Sequence, residues 1–458
     1  MKLIYGVQDK PKFGPMIVFA LQQLLAIMTA TLVVPVIIGN GMSPAAALVG
    51  AGIGTLIYVL FTKAKSPVFL GSSFAFIGSM FAAFAGGVSV ALGYVGLILG
   101  ALFAGLVYVV IAIIVKLVGV RWIDKLMPAS VIGPTVAIIG LSLAKNAVGD
   151  ILKFAEFDAA NSVYLMGGKG WAGFACALVT ILVVVLCSSY GKKAGKLIPF
   201  IFGILGGYAL AAVFTIIGNV AGIEALKVID VAPFAALLTD GAVTIKTFFS
   251  VPSFTFLTAA TGLGELNATY IGTIAVAYIP VAFVVFAEHL ADHKNISSII
   301  ESNLLEEPGL HRTLLGDGVG SFVGALFGGC PNTTYGESVG CVAITRNASV
   351  VTIITAAILA IVIAFISPFI AFVNSIPACV MGGVCLALYG FIAVSGLKMI
   401  QTVNLNLNKN LFVVSTILIA GIGGMALKIG QVTLTSIACA LILGIVVNLA
   451  LSKAPDQE

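Results

Sequence analysis

The chain has 458 residues, of which 60% are hydrophobic and only 9% are charged. A soluble domain is roughly 25% charged, so this composition excludes an ordinary cytosolic enzyme, a disordered chain and a nucleic-acid-binding protein. The mean hydropathy of +1.17 indicates a polytopic membrane protein in a lipid bilayer, and the net charge of +5 then reflects loop topology.

Apolar runs long enough to cross a bilayer, about 20 residues each, recur along the whole chain. The clear candidates lie near residues 15–38, 44–62, 93–117, 128–148, 171–190, 196–218, 268–292, 312–328, 349–366, 367–389, 410–427 and 432–451. Two further apolar segments, 67–87 and 330–345, are broken by Gly, Ser, Thr and Pro, and the stretch 390–400 indicates a helix end or a half-span. Together these segments predict an all-α protein with about fourteen membrane elements.

The charges of the loops predict the orientation of the chain. With the N-terminus inside, the predicted inner loops hold 17 of the 23 Lys and Arg residues, and the outer loops hold the other six. Cytoplasmic loops of polytopic membrane proteins carry such an excess of positive charge. We therefore predict a multi-pass protein of the cell inner membrane with both termini in the cytoplasm.

Two short motifs recur in the second half of the chain. Pro128-Ala-Ser-Val-Ile-Gly133 opens one apolar run, and Pro377-Ala-Cys-Val-Met-Gly382 opens another, 249 residues later. The broken segments also align, with Thr333-Thr334-Tyr335 placed 261 residues after Ser72-Ser73-Phe74. The similar offsets predict an internal repeat, and two copies of seven crossings each would be inverted. Inverted repeats with interrupted segments are typical of secondary transporters.

Three acidic residues lie at predicted membrane depth. Glu288 follows a long apolar approach, Asp292 lies four residues later on the same helical face, and Glu337 lies within the second broken segment. An ionisable group at this depth costs about 3 kcal/mol or more and usually faces a cavity where it has a function. We therefore predict that these carboxyls line a transport site.

The broken segments add unwound backbone, which persists at membrane depth only where it is buried in protein or lines a cavity. Its N–H groups can donate to the carbonyl groups of a ligand. Phe74 and Tyr335 occupy equivalent repeat positions and can flank a flat ring. Carboxylates that accept N–H, amides that donate to C=O, and aromatic walls indicate a planar imide, such as a pyrimidine or purine base.

Two histidines beside these carboxyls permit another interpretation. His289 and His293 have a spacing used by zinc sites, but the remaining ligand would have to come from the same short turn. We expect no metal, no cofactor and no enzyme, and an intramembrane hydrolase that uses His289, Asp292 and His293 is the least favoured alternative. Asp317 begins a crossing, and we expect it to have a structural role by bonding to backbone.

Several motifs resemble those of one transporter family. Tyr335-Gly-Glu-Ser-Val-Gly-Cys-Val-Ala-Ile-Thr-Arg346 resembles the signature of the nucleobase–ascorbate transporter family, Gln/Glu/Pro-Asn-x-Gly-x4-Thr-Arg/Lys/Gly. Leu21-Gln22-Gln23 is similar to the family's Gln-His element. The motifs similar to the uracil permease branch are Leu70-Gly-Ser-Ser-Phe-Ala-Phe76, Ala287-Glu-His289, Pro331-Asn-Thr-Thr-Tyr335 and Val380-Met-Gly-Gly383. The similarity runs nearly end to end.

The resemblance implies a fold of fourteen segments in two inverted repeats of seven, with short extended pieces in segments 3 and 10 that meet at the substrate. A core domain would comprise residues 1–122 (segments 1–4) and 226–366 (segments 8–11). A gate domain would comprise residues 123–225 (segments 5–7) and 367–458 (segments 12–14). The resemblance also implies a homodimer that carries uracil together with a proton by alternating access of core and gate.

The resemblance also implies a binding site, carried over by position. Glu288 and Glu337 would hold the base through its ring N–H groups and carbonyl edge, and the amides of Phe74 and Gly336 would donate to its carbonyls. Glu288 would be the leading proton carrier. The implied substrate-binding residues are Glu288, Glu337, Phe74, Gly336, Tyr335, Ser73 and Ala30.

Three positions depart from the family pattern. The signature's Asn is Ser338, the Gln-His element ends in Gln23, and Asp292 stands where some uracil carriers have a histidine. His293 is one place further and would point about 100° away on a helix. We therefore predict that protons pass through a Glu288–Asp292 pair whose carboxyls titrate as one unit.

The first signature position favours uracil as the substrate. Glu337 occupies this position here, whereas the similar pattern of xanthine and urate transporters has Gln at the same position. A purine–proton symporter and a passive nucleobase facilitator remain the alternatives.

Overall fold

The computed structural model describes residues 3–192, 195, 198–238, 241–429 and 432–452. Helices form most of the fold. In chain order they are α1 (Phe13–Ile38), α2 (Pro44–Phe61), α3 (Ile77–Ala83), α4 (Val90–Val118), α5 (Arg121–Leu126), α6 (Ala129–Ser142), α7 (Ala144–Ile151), α8 (Gly168–Tyr190), α9 (Pro199–Ala221), α10 (Ala232–Ala235), α11 (Ile245–Phe248), α12 (Thr255–Gly262), α13 (Ala268–Ile300), α14 (Leu310–Gly328), α15 (Gly336–Thr345), α16 (Val350–Ile363), α17 (Ser367–Ser375), α18 (Ala378–Ile400), α19 (Asn408–Ile422) and α20 (Ser436–Ala450).

Six short strands form three antiparallel pairs among the described residues. β1 (Leu70–Ser72) pairs with β4 (Asn332–Thr334), β2 (Glu156–Asp158) pairs with β3 (Val163–Leu165), and β5 (Leu427–Ile429) pairs with β6 (Val432–Leu434). The last two pairs are hairpins between neighbouring helices, whereas β1 and β4 come from the two broken segments.

Eight of the described helices or helix pairs are long and apolar enough to cross a membrane. They are α1, α2, α4, α6 with α7, α8, α9, α13 and α18, and α16, α19 and α20 are shorter apolar helices. The prediction of a mostly helical, polytopic membrane protein is confirmed. The count of fourteen crossings, the inverted repeats and the cytoplasmic location of both termini stay predictions, and residues 1–2 and 453–458 lie outside the described residues.

The predicted crossing at 367–389 is wrong in its bounds. α17 ends at Ser375, and α18 begins at Ala378 and continues to Ile400, so the stretch 390–400 belongs to one long helix. Pro377 lies in the break, and a proline disfavours helical conformation in the residue before it. Ile376 is accordingly extended, with φ −65° and ψ 119°.

The final predicted crossing, 432–451, also begins too early. Residues Val432–Leu434 form β6, and α20 begins only at Ser436. The hydroxyl oxygen of Thr435 accepts a hydrogen bond from the Ala438 N–H at 3.3 Å, which caps the helix at this point.

The described residues divide into two compact units. The first unit lies within Met1–Ser142, Ser253–Ile361 and Phe391–Glu458, and the second unit lies within Leu143–Pro252 and Val362–Gly390. The core domain of residues 1–122 and 226–366 and the gate domain of residues 123–225 and 367–458 stay predictions.

Glycines let α14 approach two neighbouring helices of the first unit closely. A Cβ added to Gly54 of α2 would lie 2.8 Å from the Gly320 carbonyl oxygen of α14. A Cβ added to Gly105 of α4 would lie 2.9 Å from the Gly318 carbonyl oxygen. Small residues at membrane helix contacts allow this backbone-to-backbone packing.

The ribbon of β1 and β4 is fully buried in the first unit. Gly71 lies opposite Thr333, and Ser72 lies opposite Asn332. Asn332 and Thr333 lie 261 residues after Gly71 and Ser72, so each residue of this pair in β1 lies opposite the repeat equivalent of the other. The pairing of the two strands is therefore symmetric about its centre. Each strand satisfies main-chain groups of the other, as non-helical backbone at membrane depth requires.

Candidate functional site

The predicted carboxyls are carried by two helices of the first unit. Glu288 and Asp292 lie one turn apart on α13, and Glu337 lies in the first turn of α15. Glu288 and Glu337 are half-buried, whereas Asp292 is buried. Glu288 lies within electrostatic range of Asp292, Glu337 and Asp317. The tertiary structure thus gathers the acidic residues that the sequence singled out.

Asp292 is held by the second broken segment. The Thr334 hydroxyl at the end of β4 donates to Asp292 Oδ2 at 2.9 Å. A Cβ added to Gly336 would lie 3.7 Å from Asp292 Oδ1, so the main chain at the start of α15 adjoins this carboxyl. Thr334 is not among the site residues predicted from the sequence, although a hydroxyl in a broken segment was an available signal.

The N-terminal end of α15 faces open space beside these carboxyls. α15 begins directly after the extended residue Tyr335, which has φ −110° and ψ 125°. Gly336 is exposed and Glu337 is half-buried, although Asn332–Tyr335 are all buried. The first N–H groups of a helix have no acceptor within it, and its dipole favours a negative charge there. This end of α15 is therefore suited to meet carbonyl oxygens of a ligand.

The remaining predicted lining residues are buried near the ribbon. The Tyr335 hydroxyl donates to the Ser72 carbonyl oxygen at 2.6 Å, so this side chain also braces β1. The Ser73 N–H donates to the Pro331 carbonyl oxygen at 2.9 Å. The predicted lining residues that are less than 10% exposed are Phe74, Ser73, Tyr335 and Ala30. Their contact with a substrate stays a prediction.

Two of the positions that depart from the family signature contact each other. The Gln23 side-chain amide donates to the Ser338 hydroxyl oxygen. The same oxygen accepts a hydrogen bond from the Phe69 N–H at 2.9 Å. Both polar side chains are buried, and local sequence pattern could not predict this contact because 315 residues separate the two partners.

The two histidines belong to a buried polar chain. His289 Nδ1 lies 2.6 Å from Asp317 Oδ2, and its Nε2 lies 3.0 Å from Thr313 Oγ1. His293 Nδ1 lies 2.7 Å from the His289 carbonyl oxygen, and its Nε2 lies 2.6 Å from the Tyr58 hydroxyl. All four ring nitrogens therefore have protein partners, and the partner of Asp317 is an imidazole, whereas the sequence predicted a bond to backbone.

The described residues contain no group of three or more His, Cys, Asp and Glu side chains arranged to hold a metal ion. His289 and His293 instead stack on each other, with ring centroids 4.0 Å apart. Their i, i+4 spacing therefore serves ring packing and hydrogen bonding in this helix.

Comparison with known proteins gives a family and a set of relatives. Residues 14–430 match the family described as the permease family. The uracil permease of Bacillus subtilis (strain 168) is 36% identical over 466 residues, covering 100% of this chain and 97% of the relative. The uracil permease of Bacillus caldolyticus is 37% identical, and the match covers 99% of this chain and 96% of that relative. The uracil permease of Escherichia coli (strain K12) is 34% identical, and the match covers 97% of this chain and 93% of that relative.

Two solved structures illustrate the similarity of the fold. The transmembrane domain of a cyanobacterium bicarbonate transporter, BicA, has a TM-score of 0.61 at 14% identity, covering 98% of this chain and 99% of that one. SLC26A9 has a TM-score of 0.64 at 11% identity, and the match covers 96% of this chain and 65% of that one. At these identities the likeness concerns the fold alone. The family match and the close relatives, in contrast, span nearly the whole chain, and this protein therefore belongs to the nucleobase–ascorbate transporter family of permeases.

Proposed function

We propose that this protein imports uracil by proton symport across the cell inner membrane. The observation that carries the proposal is the placement of Glu288, Asp292 and Glu337 around the exposed N-terminal end of α15. Relatives that are 34–37% identical over nearly their whole length are named uracil permeases. The cycle is alternating access between a core domain and a gate domain, in a homodimer with cytoplasmic termini.

Uracil is a planar ring that alternates N–H donors with carbonyl acceptors. In the proposed complex the half-buried carboxyls of Glu288 and Glu337 accept hydrogen bonds from its ring N–H groups. The amides of Gly336 and Phe74 donate to its carbonyl oxygens, and the Phe74 ring covers one face. Such a site rejects a base that lacks a matching N–H, because a buried carboxylate would then stay unpaired.

Proton coupling in this proposal follows from the mutual repulsion of the carboxyls. Glu288 and Asp292 lie one helical turn apart, and Glu337 and Asp317 also act electrostatically on Glu288. A proton on Glu288 relieves this repulsion and lets uracil bind without an unpaired buried charge. Release of the proton and the base toward the cytoplasm returns the site to its starting state.

Uptake of [14C]uracil tests the proposal, in cells that lack their own uracil carrier, with and without a protonophore. We expect accumulation that the protonophore abolishes, that Glu288→Gln removes, and that thymine and xanthine inhibit less than unlabelled uracil does. Glu306→Gln is the matched control, because Glu306 is an exposed carboxyl on the surface. Equilibration that ignores the protonophore would contradict symport, and uptake of xanthine without uracil would contradict the substrate.

A further inference from the structure

A cavity of the first unit, away from the carboxyls of the candidate site, is lined by basic side chains. It has a volume of about 320 Å³ and lies where the ends of α2, α4 and α14 meet. Lys116 lies in the last turn of α4, and His311 and Arg312 lie in the first turn of α14. Phe61, Ile113 and Leu315 contribute apolar walls, and none of the lining side chains is acidic. The cavity thus combines positive charge with apolar surface.

The basic side chains form one cluster. Lys116 and Arg312 both act electrostatically on His311, so the three groups lie near one another. Arg312 Nη1 donates to the Phe61 carbonyl oxygen at 2.9 Å, which fixes the guanidinium at the wall of the cavity. A guanidinium has five N–H donors, and the bond to Phe61 uses one of them, so further N–H groups can donate to an anion.

An exposed apolar stripe of α4 leads into the same cavity. Leu106, Val110, Ile113 and Leu117 recur at helical spacing and are 50%, 55%, 53% and 78% exposed. Ile113 belongs both to the stripe and to the cavity lining. A cationic recess that continues into an apolar helix face is complementary to an amphiphile with an anionic head, and a free inorganic anion would use only the recess.

We propose that this cavity binds the head group of an anionic phospholipid. The phosphodiester lies against Lys116 and Arg312, where a guanidinium can make paired hydrogen bonds to phosphate oxygens. The acyl chains follow the stripe of α4. Lys116 and Arg312 both lie at helix ends that the charge distribution predicts to face the cytoplasm, and basic recesses between helices on that side suit acidic lipid head groups. The proposal does not depend on the transported substrate.

Native mass spectrometry of the delipidated protein tests this site, with phosphatidylglycerol as the probe and phosphatidylcholine, whose zwitterionic head group has no net charge, as its counterpart. We expect the wild type to retain phosphatidylglycerol selectively. Lys116→Gln should weaken this binding about fivefold, and Lys116→Arg should preserve it. Lys398→Gln is the matched control, because Lys398 is an exposed lysine in the last turn of another helix, α18, and it should bind phosphatidylglycerol as the wild type does.

Several outcomes would overturn the proposal. Equal retention of both lipids, or unchanged binding in Lys116→Gln, would show that the basic cluster does not select the head group. Displacement of the lipid by inorganic phosphate at equal concentration would assign the cavity to a free anion. Cross-links between two copies through the α4 stripe in the lipid-free protein would assign that stripe to a second copy of the chain. Arg312 is left unchanged in this test, because its substitution also removes the bond to Phe61.

Discussion

The side-chain amide of Gln23 donates a hydrogen bond to the hydroxyl oxygen of Ser338, 315 residues away. The Phe69 N–H donates to the same oxygen, so this buried hydroxyl joins α1, the residue before β1 and the first turn of α15. Glu337 precedes Ser338 directly in that turn. The junction therefore fixes the helix end that carries a proposed substrate carboxylate.

Loss of this hydroxyl should destabilise the first unit. Ser338→Ala leaves the Phe69 N–H and the Gln23 amide without their shared buried acceptor, which costs about 1–3 kcal/mol. We expect a lower thermal midpoint in detergent, whereas Ser415→Ala removes the hydroxyl of a half-buried residue that bonds only within its own helix and should change little.

A double-mutant cycle separates this contact from general damage. Because Gln23 and Ser338 share one bond, Gln23→Leu combined with Ser338→Ala should cost less stability than the sum of the two single substitutions. Strict additivity of the two losses would contradict a direct contact.

Thr334 should control the rate of uracil uptake through Asp292. Thr334→Val keeps the side-chain shape but removes the hydroxyl that donates to Asp292 Oδ2. Loss of a hydrogen bond to a buried polar group is worth about 1–3 kcal/mol, so we expect initial uptake to fall about fivefold or more. Uptake by Thr355→Val is the control, because the Thr355 hydroxyl donates only to the Val351 carbonyl oxygen of its own helix. Equal rates for the two variants would contradict a role of Thr334 in the site.

Gly71 should tolerate no side chain. A Cβ at this position would lie 2.5 Å from Tyr335 Cζ and 2.9 Å from Thr31 Oγ1, within the buried ribbon. Gly71→Ala should therefore lower stability by about 1–3 kcal/mol through overpacking and displace Tyr335 from Ser72.

The matched control for this substitution lies in the same broken segment. A Cβ at Gly78 would meet its nearest neighbour, Thr435 Cγ2, only at 3.8 Å, which is an ordinary contact. Thermal unfolding in detergent should distinguish Gly71→Ala from Gly78→Ala, and equal midpoints would contradict the packing of Tyr335 against Gly71.

The histidine pair should be independent of metal. Because all four ring nitrogens of His289 and His293 have protein partners, treatment with EDTA should leave both uptake and thermal stability unchanged. Removal of the Asp317 carboxyl that contacts His289 Nδ1, as in Asp317→Ala, should instead cost about 1–3 kcal/mol, because a buried ring nitrogen then loses its hydrogen-bond partner. Activity that EDTA abolishes and zinc restores would contradict this arrangement.

The class of protein and most of its helices follow from local sequence pattern alone. A bilayer imposes one length and one polarity on every crossing, so a local window of residues suffices to recognise α1, α4 or α13. The same cost of burying charge made Glu288, Asp292 and Glu337 conspicuous against their apolar surroundings. The broken segments were visible for the equivalent reason, because Gly, Ser, Thr and Pro interrupt apolar runs there.

Contacts between these groups, in contrast, depend on how distant segments of the chain pack together. The hydrogen bonds of Ser338 with Gln23, of Thr334 with Asp292 and of His289 with Asp317 join different segments, and local sequence pattern carries no information on such distances. The i, i+4 spacing of His289 and His293 did not itself indicate that the two rings stack, which depends on how their neighbours are placed. Hydrophobicity is a property of each segment, whereas a binding site depends on how the segments pack.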